Sequence, residues 1–115
     1  NQTQVQQTAT TTSNIKLSLV LTNNLEQNRT IFIWYSTDSS TEKKHITLAK
    51  NKTITIDATD KIDLDTNNLY GLKILINGKQ INTRAIAYQG GVGKLRFWKH
   101  KNPNGKTEIK WEINR

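Results

Sequence analysis

The chain contains no cysteine and no methionine, one proline, and few aromatic residues, which make up 7% of the sequence. Without cysteine, neither a disulfide framework nor a thiolate metal site can be built. No stretch approaches the roughly 18 consecutive apolar residues that a membrane-spanning helix requires. Apolar residues amount to 34%, against roughly 45–50% in a typical globular chain on a count that includes glycine. At 115 residues the chain suits one domain with a two-layer core.

Part of the apolar shortfall is local. Residues 1–14 read NQTQVQQTATTTSN, where Val5 and Ala9 are the only apolar side chains. Such a segment cannot bury enough surface to offset its ordering entropy, so a disordered polar tail or tether is expected there. The folded domain is then residues 15–115. A polar start without an initiator Met points to removal of something upstream, either a signal or lipoprotein leader or by trimming. A membrane tether through a removed N-terminal anchor fits a Thr/Gln/Asn-rich lead-in of this kind.

Catalytic constellations are also scarce. His45 and His100 are the only histidines, with neither zinc spacing nor a cysteine partner. No serine sits in a nucleophile-elbow glycine pattern. Gly90-Gly91-Val92-Gly93-Lys94 has glycines, but Tyr88 and Leu95 stand where a phosphate loop needs Gly and Ser/Thr, so a turn is the better reading. Asp57, Asp60, Asp63 and Asp65 lack the spacing of a calcium loop. They read as a solvated acidic loop over residues 57–68, with at most one helical turn across Ile62 and Leu64. The expectation is a protein that is not an enzyme and uses no cofactor or metal.

What is present is a one-sided charge. The formal net charge is +8, and residues 1–65 balance seven Lys/Arg against seven Asp/Glu, while residues 66–115 hold ten against two. A basic half can attract nucleic acid, anionic lipid or an acidic protein, or can simply keep exposed strand faces soluble.

Alternation with period two dominates the rest. Ile15 to Thr22 places Ile15, Leu17, Leu19 and Leu21 on one face. Thr30 to Ser36 is apolar on both faces, as a central strand would be, or one that leaves Trp34 partly exposed. Short strands follow at 45–49 and 53–58. Asn77-Gly78 between Leu72–Ile76 and Lys79–Asn82 signals a hairpin with a type I′ turn, in which both central positions need positive φ. Arg84–Gln89 reads as a further strand.

The surest stretch is Lys94 to Arg115. Asn102-Pro103-Asn104-Gly105 is a type I turn closed by a left-handed glycine, a three-residue hairpin with a bulge. It fixes pairs whose numbers sum to 208: Phe97 with Trp111, Leu95 with Ile113, Arg96 with Glu112, Trp98 with Lys110, His100 with Glu108. A one-residue slip would mix the apolar and polar faces. Seven to nine short strands without a long helix predict an all-β fold, an antiparallel β-sandwich of immunoglobulin-like or transthyretin-like shape, with a small barrel as the alternative. On the basic hairpin, Arg96, Trp98, Lys99 and Lys110 form the candidate binding site, with Trp98 on the polar face, because an aromatic interleaved with basic groups can stack on bases or sugars or anchor a protein. Its structural alternative is a cross-strand cation–π pair between Trp98 and Lys110.

Two regions carry a resemblance. Ile15 to Tyr35 is an alternating strand, an Asn-containing loop and an aromatic-bearing strand. Ala85 to Trp98 is a small-residue strand leading through a turn into a strand with Arg96-Phe97-Trp98. Together they resemble the small outer-membrane lipoprotein of bacterial type VI secretion systems. The pattern departs where no proline follows the loop asparagines and where Arg precedes Trp. The resemblance implies a transthyretin-like sandwich, lipid-anchored at the periplasmic face of the outer membrane or exposed at the cell surface. It would dock onto a protein partner in an envelope assembly. The functional expectation is therefore an exported, non-enzymatic module that binds protein, with an anionic or glycan ligand at the basic hairpin as the alternative and nucleic acid the least favoured partner.

Overall fold

The computed structural model describes residues 15–87 and 91–114, with the side chain of Asn114 left aside. The proposed tail, residues 1–14, lies outside the described residues. Two antiparallel sheets face each other. The first contains β1 (Leu17–Asn23), β4 (Thr53–Ala58), β6 (Leu72–Ile76) and β7 (Lys79–Ile81) in the order β4-β1-β6-β7. The second contains β2 (Ile31–Thr37), β3 (Lys44–Leu48), β5 (Lys61–Thr66), β8 (Gly93–Lys101) and β9 (Thr107–Asn114) in the order β3-β2-β5-β8-β9. The architecture is the antiparallel β-sandwich expected from the alternation.

The core lies between the sheets and is built from every second residue. In β1 Leu17, Leu19 and Leu21 are fully buried; they face Ile31 and Ile33 of β2, Ile62 and Leu64 of β5, and Leu95 and Phe97 of β8. Each such side chain contributes roughly 1.5–3 kcal/mol on burial. A sequence with few apolar residues can still fill a core when strict alternation directs most of them inward.

Both turn-based expectations hold. Asn77 and Gly78 have φ of 48° and 82°, and Ile76 pairs with Lys79. The Asn77 side chain also fixes the start of β1. Its Oδ1 accepts from the Ser18 amide at 2.7 Å and its Nδ2 donates to the Lys16 carbonyl at 2.9 Å. In the last hairpin the Gly105 amide donates to the Asn102 carbonyl at 2.9 Å, Gly105 has φ of 86°, and the Asn102 amide donates to the Lys106 carbonyl at 2.7 Å. All five expected pairs, from Leu95–Ile113 to His100–Glu108, are present.

Two expectations need correction. Residues 57–68 are not an acidic loop: they include the end of β4 and all of β5, which lies between β2 and β8. Its inward residues Ile62, Leu64 and Thr66 are buried. Its outward acids are matched by neighbours, Asp63 by Arg96 at 2.7 Å and Asp65 by Lys43 at 2.5 Å. Cross-strand partners, invisible locally, make an acidic strand viable. Arg84–Gln89 is not a strand over its described part: Thr83–Ile86 is a short helix, α1. Thr83 anchors it by donating from Oγ1 to the Leu72 carbonyl at 2.7 Å, and the Arg84 guanidinium lies 5.1 Å from the Tyr70 ring centroid. Residues 88–90 lie outside the described residues. For β2, of the two forms expected, the one that leaves Trp34 partly exposed holds: β2 is an interior strand, Trp34 is partly exposed and Phe32 is 38% exposed.

The two lateral sides of the sandwich differ. On one side β3 and β4, the edges of their respective sheets, are consecutive, and the chain passes directly between them through Ala49–Lys52. Asn23, fully buried at the end of β1, holds that crossover. Its Nδ2 donates to the carbonyls of Leu48 (2.8 Å) and Arg29 (2.7 Å), its Oδ1 accepts from the Leu25 amide (3.1 Å), and its own amide donates to the Lys52 carbonyl (3.1 Å). On the other side the edges are β7, three residues long, and β9, eight residues long.

Candidate binding surfaces

The outer face of the five-stranded sheet carries most of the residues expected to bind. Across β5, β8 and β9 the register lines up Asp63, Arg96 and Glu112 in one row and Lys61, Trp98 and Lys110 in the next. Arg96, Trp98 and Lys110 are therefore neighbours on one surface, with Trp98 partly buried and the two cations exposed. Lys99 is not with them. It shares the inner face with Leu95 and Phe97, at the end of the sandwich, where its Nζ donates to the Ile15 carbonyl at 2.9 Å and lies 3.7 Å from Asp60. Its ammonium ties the second sheet to the start of the first.

The charges of this face are largely spent on one another. Arg96 donates from Nε to Asp63 at 2.7 Å rather than pairing with Glu112 opposite. That hydrogen bond, then the attraction of the same carboxylate, holds the guanidinium above its ordinary value. Asp63 also has Lys61 at 3.7 Å. A shallow depression of about 360 Å³, lined by Ser36, Lys43, Asp65 and Lys94 around the Arg96–Asp63 pair, is a mosaic of both signs. It presents no concentrated positive field for an anion. Among the described residues the cation–π contact found is Arg84 over Tyr70, not Lys110 over Trp98. Further along the face, Phe32, Trp34 and His45 form a small cluster with centroids 4.8–6.5 Å apart. Their tilted, edge-on packing supports the sheet rather than offering a flat platform.

The second surface is the open side. The inner face of β9 alternates Ile109, Trp111 and Ile113, and β7 opposite is too short to cover it. A groove of about 830 Å³ results, with an apolar floor of Ile15, Ile76, Ile81, Ile109 and Trp111 and a polar rim that includes Lys79 and Glu108. Trp111 is 38% exposed although its cross-strand partner Phe97 is fully buried. Large aromatics in apolar clefts are the side chains that most often anchor protein contacts.

Reasoning from the sequence favours Trp98 and passes over Trp111, because Trp111 falls on the apolar face, which a sandwich normally covers. One signal points the other way: the run after Asn77-Gly78 is much shorter than the run after Gly105. Only the topology shows that those two strands oppose each other.

Among the described residues no three His, Asp or Glu side chains converge as a metal site. Asp57 and Asp60 lie apart from the paired Asp63 and Asp65. The Asp38 carboxylate has a structural role: it accepts from the amides of Asp60 (2.6 Å), Thr59 (3.1 Å) and Lys61 (3.3 Å), with φ of 56° at Asp38 itself. These bonds, foremost that from Asp60, hold its pKa below the ordinary carboxylate value. No family model, curated protein or solved structure matches the chain.

Proposed function

We propose that this domain is a non-enzymatic binding module that docks a protein through the open side of the sandwich, as an exported, tethered component of a bacterial envelope or secretion assembly. The observation that carries the binding reading is Trp111, a large apolar side chain standing in an apolar groove beside an exposed strand edge. Soluble domains rarely leave such a groove without a use. An edge strand next to it can also supply main-chain hydrogen bonds to a partner. The envelope setting rests on the sequence resemblance described above. A glycan or anion at Arg96, Trp98 and Lys110 has less support, because Arg96 is committed to Asp63 and Lys99 lies on the other face.

The test is capture from bacterial envelope extract by immobilised full-length chain. Trp111→Asp should abolish capture of the bound protein, while Thr55→Asp, an exposed change on the opposite side, should leave it intact. Equal capture by both variants would sink the docking surface. Fractionation that placed the full-length protein in the cytosol would sink the envelope setting.

A further inference from the structure

The free edge of β9 has a charge pattern that selects among partners. Both acids of the basic half, residues 66–115, are Glu108 and Glu112. They lie on the outward face of β9 and alternate with Lys110, and Lys106 precedes the strand. Among the described residues none of these four groups belongs to an ion pair; the pairs present are Lys43–Asp65, Lys61–Asp63, Arg96–Asp63 and Lys99–Asp60. Among the described residues, too, β9 has a neighbour only in β8. Its register runs without a bulge from Thr107 to Asn114. It contains no proline and no charge on its inner face, so of the usual devices that blunt an edge only these outward charges are present, and they are of both signs.

The direction of its unused hydrogen bonds follows from the turn. The Asn102 amide donates to the Lys106 carbonyl, which makes that pair a hydrogen-bonded one. By the alternation of an antiparallel ladder, residues 107, 109, 111 and 113 turn their amides and carbonyls away from β8. An added antiparallel strand would bond to those residues.

We infer that the strand added there is β9 of a second copy of this chain, antiparallel, with Ile109 opposite Ile109 and paired numbers summing to 218. This rests on the reading that the open side binds protein. Only even sums keep apolar residues on the inner face. A sum of 220 sets Lys110 against Lys110 and Glu108 against Glu112; a sum of 216 sets Glu108 against Glu108. At 218, Glu108 meets Lys110 of the second copy and Lys106 meets its Glu112, each twice by the two-fold symmetry. Four opposite-charge pairs form, and Trp111 packs over the second copy's Thr107 beside the Ile109 pair. At 222 only Lys110 with Glu112 is matched. The two sheets become one continuous sheet of ten strands, and the groove is closed from both sides.

The test is the mass of the full chain in solution by light scattering and sedimentation over a concentration series. The wild type should reach twice the chain mass. Glu108→Lys alone and Lys110→Glu alone should each weaken the dimer about tenfold or more, since two attractive cross-strand pairs become repulsive. Mixing the two single variants should restore a dimer containing one of each. In that dimer the lysine introduced at position 108 faces the glutamate introduced at position 110, and the unchanged Lys110 and Glu108 face each other. A monomeric wild type, a Glu108→Lys variant that dimerises unchanged, or a mixture that stays monomeric would each overturn the inference. A monomeric wild type whose capture of an envelope protein still depends on Trp111 would overturn the second copy and leave the docking surface standing. Loss of both would remove the two together.

Discussion

The sides of this sandwich are built from similar strands and end in opposite states. Where β3 meets β4, the chain crosses between sheet edges, a buried asparagine satisfies three backbone groups, and Leu48 and Ile56 are almost fully buried. Where β7 meets β9, the edges are not consecutive in the chain, one is less than half the length of the other, and a tryptophan stands partly in solvent. Burial therefore depends less on how apolar a strand is than on whether an equally long strand faces it.

The contrast can be probed by mutation. Leu48→Ala should cost about 2–5 kcal/mol, the range for emptying a tightly packed site. Trp111→Ala, in dilute monomer, should cost less, about 1–2 kcal/mol despite removing more atoms, because more than a third of the side chain already stands in solvent. Urea unfolding of both variants checks the pair, and equal losses would mean that the open side is as tightly built as the closed one. Next in size, Asn23→Ala should cost about 2–4 kcal/mol: the buried Leu48 carbonyl loses its partner at roughly 1–3 kcal/mol, and the part-buried Arg29 carbonyl and Leu25 amide, which water can reach, add less. The same denaturant series reads it.

The smallest effect concerns Asp38, which clamps the turn between β4 and β5. Its folded pKa lies below the ordinary 3.8, so its contribution is complete above the ordinary carboxylate value and is lost as pH falls through the lower, folded one. Stability of the wild type should therefore decline on acidification across that window. Asp38→Asn should remove part of the slope, and identical slopes in the two proteins would show that the clamp carries no linkage.

Much of this fold is legible locally. The Asn77-Gly78 and Asn102–Gly105 turns dictate their own geometry, and each hairpin register follows from turn length and face. The β5 strand is not legible, because Asp63 and Asp65 suit a strand only beside Arg96 and Lys43, which come from distant parts of the chain. The helix α1 depends on Thr83 reaching the Leu72 carbonyl, again a tertiary contact. Hairpin register alone puts Arg96, Trp98 and Lys110 on one face, as the structure has them. It does not reveal that Lys99, at an inward position, extends to the start of β1. The groove at Trp111 needs the strand order of both sheets, which no local pattern encodes.

The position of β1 also bears on how the chain folds. It comes first among the described strands, yet it lies between β4 and β6, so its two ladders wait for partners 31–41 and 49–57 residues later in the chain. Closing loops of that length before any reward places the rate among the slow, high-contact-order β proteins, in the range of roughly milliseconds to seconds. The β8–β9 hairpin needs no such wait. It can form while β1 is still unpaired, so the exposed edge of β9 is offered to a neighbouring chain before the sandwich behind it has closed.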